Sequence, residues 1–163
     1  MIRKTMESRE LAFYCDFHGH SRAKNSFMYG CNNQFKEKKN RERIFPLMFS
    51  RKCEEFSFEG SSFTVHKAKE STARVVLWKE YLLVNSFTLE TSFCGPTKGL
   101  YKDTHFSISQ LLELGRKFSL TLVDFSELEF ADDYHKRMKV YIRDIEAILK
   151  GEPLPSTQEN EDG

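Results

Sequence analysis

The sequence lacks several features that would assign a class of protein directly. None of its 163 positions belongs to a run of about 18 apolar residues, so no membrane span is predicted. The first ten residues are charged and contain no apolar core of the kind found in signal peptides. The four cysteines form no C-x-x-C pair, which argues against a zinc knuckle or a thioredoxin motif. We therefore expect reduced, buried thiols in a cytosolic protein.

The chain is nearly neutral overall, but its charged residues are unevenly distributed. The formal net charge is +1, which gives no global preference for nucleic acid or for a membrane surface. Basic residues are concentrated in the N-terminal third, including the stretch from Lys36 to Arg43, and acidic residues dominate from Glu127 onward. One interpretation is a solvated loop followed by a polar tail. The other is a positive rim that attracts an acidic substrate.

Apolar patterning predicts an α/β layer with a partly parallel sheet. Predicted strands cover residues 11–17, 63–67 and 85–93, with a short one at 27–29. Predicted helices cover part of 1–10, then 40–49, 73–79, 107–123 and 131–150. The helix at 107–123 carries an apolar stripe made of Ile108, Leu111, Leu112, Gly115, Phe118 and Leu122. So few strands would leave apolar sheet edges, which suggests that the fold is incomplete in this chain.

The stretch from Cys15 to Arg22, CDFHGHSR, is the most distinctive part of the sequence. His18 and His20 differ by two positions, so in extended backbone their side chains lie on one face. Imidazole is the commonest protein ligand for metals, and Asp16 has the chemistry to orient such a ring. A surface or hydrogen-bonded pair of histidines is the ordinary alternative.

Several segments resemble the cytosolic carboxypeptidases, M14-type zinc metallocarboxypeptidases related to carboxypeptidase A. These segments are residues 18–30 (HGHSRAKNSFMYG), 69–79 (KESTARVVLWK), 85–95 (NSFTLETSFCG), and His105-Phe106 followed by Leu114-Gly115. The resemblance covers roughly residues 1–125 and implies the C-terminal half of a catalytic domain, with a mixed sheet flanked by helices. We expect a C-terminal helix at 126–150 and a disordered acidic tail at 151–163.

The resemblance assigns roles to three residues. His18 matches the third zinc ligand. Glu90 matches the glutamate that activates the zinc-bound water and returns its proton to the leaving amine. Arg74 lies where the family is expected to carry the basic group that recognises an acidic C-terminal side chain. Without the family, Glu90 would be read as an exposed strand-end carboxylate and Arg74 as a helix-surface arginine.

One departure from the family pattern limits what this chain is expected to do. The first two zinc ligands of the family come from an upstream H-x-x-E motif, and no histidine here has a glutamate three positions later. The Asn-Pro-Asp-Gly stretch and the arginine that grips the substrate's terminal carboxylate are also absent. A catalytic zinc site needs three protein ligands. We therefore expect the chain alone to be an incomplete, inactive fragment.

Three functions are compatible with these features of the sequence. The first is a zinc metallocarboxypeptidase that removes C-terminal glutamates from acidic protein tails, tubulin among them, in the cytoplasm and on microtubules. The second is a non-catalytic module that binds such tails. The third, a nucleic-acid binder, is weak because the chain is nearly neutral. The enzymatic reading predicts that His18 and Glu90 approach each other in the folded chain.

Overall fold

The computed structural model describes residues 2–33, 35 and 38–155. Its helices and strands are, in chain order, α1 (Ile2–Met6), β1 (Tyr14–His20), β2 (Ser26–Tyr29), α2 (Ile44–Lys52), α3 (Ala73–Tyr81), β3 (Ser86–Ser92), α4 (Ile108–Glu129) and α5 (Tyr134–Lys150). Short 3₁₀ turns at Arg41–Arg43 and Lys67–Lys69 precede α2 and α3. No helix in the described part of the chain combines the length and the apolar character that crossing a membrane requires.

A three-stranded mixed sheet lies at the centre, in the order β1-β3-β2. β1 and β3 are parallel, in a register that runs from Tyr14 opposite Ser86 to His20 opposite Ser92. β2 is antiparallel to β3. The mixed α/β architecture predicted from the sequence is confirmed.

Two predicted strands differ from the structure. β1 begins at Tyr14 and continues to His20, so His18 and His20 belong to the strand and do not follow its end. Residues 63–67 form no strand. They follow an isolated bridge between Tyr29 and Ser62, and the backbone of Asn32 donates to the Phe63 carbonyl at 2.8 Å. The guanidinium of Arg43 instead packs over the ring of Phe63, with Cζ 4.1 Å from the ring centroid. This contact accounts for an apolar residue at position 63 without a strand.

Phenylalanines dominate the core and account for their abundance in the sequence. Phe45 and Phe49 of α2 and Phe87 of β3 are fully buried. Phe13 lies 4.6 Å from Phe45 between ring centroids, and Phe118 of α4 lies 5.2 Å from Phe45. Edge-to-face pairs of this kind contribute about 0.5–1.5 kcal/mol each beyond the burial of apolar area.

Helix α4 is longer than predicted and uses a different face. It begins with a capping box, in which Ser107 Oγ accepts from the backbone of Gln110 and the Gln110 side chain accepts from the backbone of Ser107. The helix continues beyond the predicted end at residue 123 to Glu129 and buries two further apolar residues. The buried residues of α4 are Leu114, Phe118, Thr121, Phe125 and Leu128. Of the predicted apolar stripe, only Phe118 is buried.

Helix α5 completes the same core. Its Met138 and Ile145 belong to the apolar cluster that contains α2 and α4. A salt bridge of 2.6 Å between Arg51 and the largely buried Asp144 ties it to the end of α2. The helix ends at Lys150, where Gly151 adopts a left-handed conformation with φ 72°. Most of the predicted disordered tail, residues 156–163, lies outside the described residues.

Candidate active-site cleft

His18 and Glu90 are direct partners in the register of the two parallel strands. Neighbouring strands are about 4.8 Å apart, and residues opposite each other present their side chains to the same face. Both residues line one open cleft of about 340 Å³, and Arg74 lines it as well. The structure therefore brings the three residues singled out in the sequence to one place, although 72 positions separate His18 from Glu90 in the chain.

The imidazole of His18 is oriented by its neighbour on the same face of β1. Its Nε2 lies 2.8 Å from Oδ2 of Asp16, and about half of the His18 side chain is exposed. No partner for Nδ1 occurs among the described residues. A carboxylate that bonds one ring nitrogen fixes the ring and increases the electron density available at the other. Asp16 thus has the positioning role that the sequence suggested for it.

The second histidine of the pair has a structural role. Nδ1 of His20 accepts backbone hydrogen bonds from Arg22 and Ala23, at 3.2 and 2.9 Å. This arrangement closes the turn after β1, and the His20 ring packs edge-on against Phe27. An imidazole nitrogen that accepts two backbone N–H groups has no lone pair left for a metal.

Glu90 is half-buried in the middle of β3 and does not lie exposed at the strand end. Its backbone carbonyl accepts from Ser26 Oγ at 2.9 Å, which fixes the strand beside β2. No hydrogen bond or ion pair to its carboxylate occurs within the described residues. The carboxylate therefore lines the cleft without a partner among the described residues.

Arg74 is buried, with 6% of its surface exposed, which contradicts the alternative of a helix-surface arginine. Its guanidinium donates to the carbonyl of Gly30 and to Sγ of Cys31. Its Nε is buried without a partner, and no carboxylate pairs with the guanidinium among the described residues. Buried charges are normally paired, and this guanidinium lies beside the cleft without a counterion among the described residues.

Arg74 lies in the first turn of α3. Thr72 adopts extended backbone at the N-cap, but its hydroxyl donates to the Lys69 carbonyl at 2.8 Å instead of capping the helix. Val75 and Leu77 are buried, whereas Trp78 is only half-buried. The carbonyl of Arg74 also accepts from Ser86 Oγ, which joins the first turn of α3 to β3.

Several residues of the cleft were not identified from the sequence. Cys31 contacts Arg74, and burial raises the pKa of its thiol while the guanidinium opposes that effect. His66, Lys69, Tyr29 and Thr72 also line the cleft. Tyr29 ends β2, and the other three lie in the irregular stretch before α3, where no periodicity marks which side chains converge.

The donor set does not fit a complete metal site. Across the described residues, no group of three or more histidine, cysteine, aspartate or glutamate side chains could hold a metal ion. His18 and Asp16 are two such side chains, but they bond each other. A catalytic zinc needs three protein ligands and one open position, so this cleft contains part of such a site at most.

Comparison with known proteins gives consistent relatives in sequence and in structure. No family model matches the chain. The chain is 48% identical over 128 residues to cytosolic carboxypeptidase 2 of Macaca fascicularis and to that of Homo sapiens. It is 47% identical over 132 residues to cytosolic carboxypeptidase 3 of Mus musculus. Each match covers 78% of this chain but only 13–15% of the relative's length.

A solved structure shares the fold. The crystal structure of a metallo-carboxypeptidase from Burkholderia cenocepacia superposes with a TM-score of 0.61 at 17% sequence identity. The superposition covers 80% of this chain and 34% of that one. At this identity the likeness concerns the fold alone.

Proposed function

We propose that this chain, which matches the cytosolic carboxypeptidases over more than three quarters of its residues, is part of a zinc-dependent carboxypeptidase. The substrates are acidic C-terminal tails of proteins, with glutamate as the residue removed and tubulin as a candidate target in the cytoplasm and on microtubules. The observation that carries the proposal is the cleft itself. His18 and Glu90 lie side by side in it, next to the buried and unpaired Arg74.

Glu90 has the properties of a general base. Its carboxylate is half-buried, faces the cleft and is not engaged by any described side chain. Such a group takes the proton of an attacking water and later delivers it to the leaving amine. A positioned acid or base of this kind typically contributes 10²–10⁴-fold to the rate.

Arg74 supplies the chemistry for recognising an acid. A guanidinium binds a carboxylate through two parallel N–H donors, and its charge persists at any physiological pH. The bonds to Gly30 and Cys31 hold it in place, while its charge lacks a counterion among the described residues. An acidic side chain of the substrate would provide that counterion.

The incomplete donor set leads to an expectation for the isolated chain. Because only His18 is available as a ligand, we expect weak zinc binding in a chelator-competition assay and no release of glutamate from a polyglutamate peptide. Stoichiometric tight zinc, or glutamate release that Glu90→Gln abolishes, would contradict this expectation.

A second function shares the same surface. A non-catalytic module that binds acidic tails would need the cationic side of the cleft, namely Arg74 with Lys69, and no metal. The lack of a three-donor cluster in the described part of the chain favours this alternative for the chain by itself.

Segment exchange tests the enzymatic proposal. In human cytosolic carboxypeptidase 2, the segment that this chain matches is replaced by the corresponding residues of this chain, and glutamate release from a polyglutamate peptide is measured. We expect the chimera to be active and Glu90→Gln to reduce kcat by at least about 10²-fold. Glu80→Gln, at an exposed site in α3, is the matched control and should leave kcat unchanged. An active chimera that tolerates Glu90→Gln would refute the role of Glu90.

A further inference from the structure

Cys31 lies in a short segment whose backbone is fixed on both sides. Gly30 donates its N–H to the carbonyl of Ser62 at 2.9 Å, and Asn32 donates to that of Phe63 at 2.8 Å. No side chain fits at Gly30, because a Cβ built there would lie 2.5 Å from a carbon of the Phe63 ring. Cys31 itself is only 1% exposed. The Gly30 carbonyl and the Cys31 sulfur are therefore acceptors at fixed positions.

Both acceptors bind the same nitrogen of Arg74. Its Nη1 donates to the Gly30 carbonyl and, at 3.2 Å, to Sγ of Cys31. At the other end of the residue, the Arg74 carbonyl accepts from Ser86 Oγ at 2.8 Å. The residue is thus held at its backbone and at one corner of its guanidinium. A side chain that is ordered before binding loses less rotamer entropy when a ligand arrives.

This anchoring leaves the opposite edge of the guanidinium. Nε is buried without a partner, and no described residue forms a hydrogen bond with Nη2. Nε and Nη2 together form one of the two-donor edges with which an arginine binds a carboxylate. Arg74 and Tyr29 both line the cleft, and Cζ of Arg74 lies 6.0 Å from the centroid of the Tyr29 ring. The contacts to Nη1 thus determine which edge of the guanidinium is left for a ligand.

The sulfur holds the guanidinium without neutralising it. Burial raises the pKa of the Cys31 thiol above that of an ordinary cysteine, although the Arg74 guanidinium opposes the rise. The thiol is therefore uncharged at neutral pH and serves as a weak acceptor. A carboxylate at the same place would form an ion pair with Arg74 and compete with an acidic ligand. A neutral acceptor fixes the arginine and leaves its positive charge for recognition.

We propose that Cys31 is a positioning residue for Arg74, and that its sulfur, together with the Gly30 carbonyl, directs the Nε–Nη2 edge to the carboxylate of an acidic substrate. This inference rests on the proposed function, because it takes Arg74 to recognise an acid. It adds a determinant of specificity that does not touch the substrate. Loss of the sulfur should therefore weaken the preference for acidic over neutral ends.

Nuclear magnetic resonance of the guanidinium tests the anchoring in this chain without a ligand. A hydrogen bond to Nη1 slows the rotation that exchanges Nη1 with Nη2, and Arg74→Lys assigns the signals because it lacks them. We expect Cys31→Ala to accelerate this rotation about 3- to 10-fold, the effect of losing one modest hydrogen bond. Cys31→Ser keeps an acceptor and should restore slow rotation. An unchanged rate in Cys31→Ala would overturn the proposal.

Binding measurements test the consequence for recognition. A polyglutamate peptide and the same peptide ending in Gln are each titrated calorimetrically into the unmodified chain and its variants. We expect tighter binding of the peptide ending in Glu, and Cys31→Ala should reduce this preference about 3- to 10-fold. Cys31→Ser should retain most of it. Cys53→Ala, the matched control, truncates an equally buried cysteine that contacts Glu55 and should leave the preference unchanged.

The outcomes separate this inference from the proposed function. A chain without any preference for Glu would contradict acid recognition by the cleft, and both proposals with it. A preference that persists in Cys31→Ala, or that falls equally in Cys53→Ala, would overturn the role of Cys31 alone. If Cys31→Ala does not fold, Cys31→Val fills the same space without an acceptor. It must then show the same loss of preference, and a retained preference would overturn the proposal.

Discussion

At the scale of single residues, the cleft depends on how neighbours occupy the hydrogen-bonding groups of each side chain. His18 bonds Asp16 through one nitrogen, whereas His20 is committed to two backbone N–H groups. The sequence presents two equivalent histidines two positions apart. Only the turn after β1 distinguishes them, because the backbone N–H groups of this turn donate to the His20 ring and not to the His18 ring.

Arg74 provides the first prediction at this scale. In the active chimera, Arg74→Ala should lower kcat/KM for a peptide ending in Glu and largely spare one ending in Gln. The loss should correspond to about 1.5–3 kcal/mol, the contribution of a hydrogen bond to a charged group. The measurement is the ratio of kcat/KM for the two peptides before and after the change.

A control separates recognition from folding. Because Arg74 also donates to Gly30 and Cys31, its truncation leaves a buried carbonyl unpaired and should lower stability as well. Arg22→Ala, at an exposed arginine in the turn after β1, should change neither quantity. If Arg74→Ala lowers stability but leaves the Glu-to-Gln ratio unchanged, the arginine is structural and the acid-recognising group lies elsewhere.

At the scale of elements, α4 shows what periodicity can and cannot establish. The sequence predicted a helix over 107–123, and the structure has one over Ile108–Glu129 with Ser107 as its cap. The predicted apolar stripe exists, but most of it is exposed, and the core uses Leu114, Thr121 and Leu128 instead. An amphipathic pattern indicates which residues are apolar. It does not identify the partner that will cover them, and α2 reaches only one side of α4.

The pairing of α4 with the segment after α2 predicts a pH dependence. Lys117 lies 3.2 Å from Glu55, and Cys53 also donates to that carboxylate. Burial acts to raise the pKa of Glu55, but hydrogen bonds from its own backbone, Lys117 and Cys53 outweigh it and lower the pKa below 4.5. A carboxyl group whose pKa is lower in the folded chain than in the unfolded chain stabilises the fold at pH values above its unfolded-state pKa. This contribution is lost as the pH falls through the folded-state pKa.

Urea unfolding at pH 7 and at pH 3 measures this contribution. The stability of the unmodified chain should fall more between the two pH values than that of Glu55→Gln, which lacks the titrating group. Glu127→Gln, at an exposed position of α4, should show the same pH dependence of stability as the unmodified chain. Identical pH dependence for Glu55→Gln and the unmodified chain would show that the pair with Lys117 does not hold α4 in place.

At the scale of the whole molecule, the sequence predicted the α/β class and the strands that form β1 and β3, and the resemblance to the carboxypeptidases implied that His18 and Glu90 approach each other. The register of β1 and β3 places His18 opposite Glu90, and opposite residues of neighbouring strands present their side chains to the same face. The burial of Arg74 could not be predicted, because it depends on Gly30 and Cys31 in an irregular turn. The strand predicted at 63–67 failed because alternating apolar residues also occur where one ring, that of Phe63, packs under an arginine.

A double-mutant cycle tests whether His18 and Glu90 act as one unit in the cleft. In the active chimera, kcat is measured for His18→Ala, for Glu90→Gln and for the double variant. Residues that act together show strongly non-additive losses. We expect the double variant to be no slower than the slower single variant. Losses that add on a logarithmic scale would contradict it.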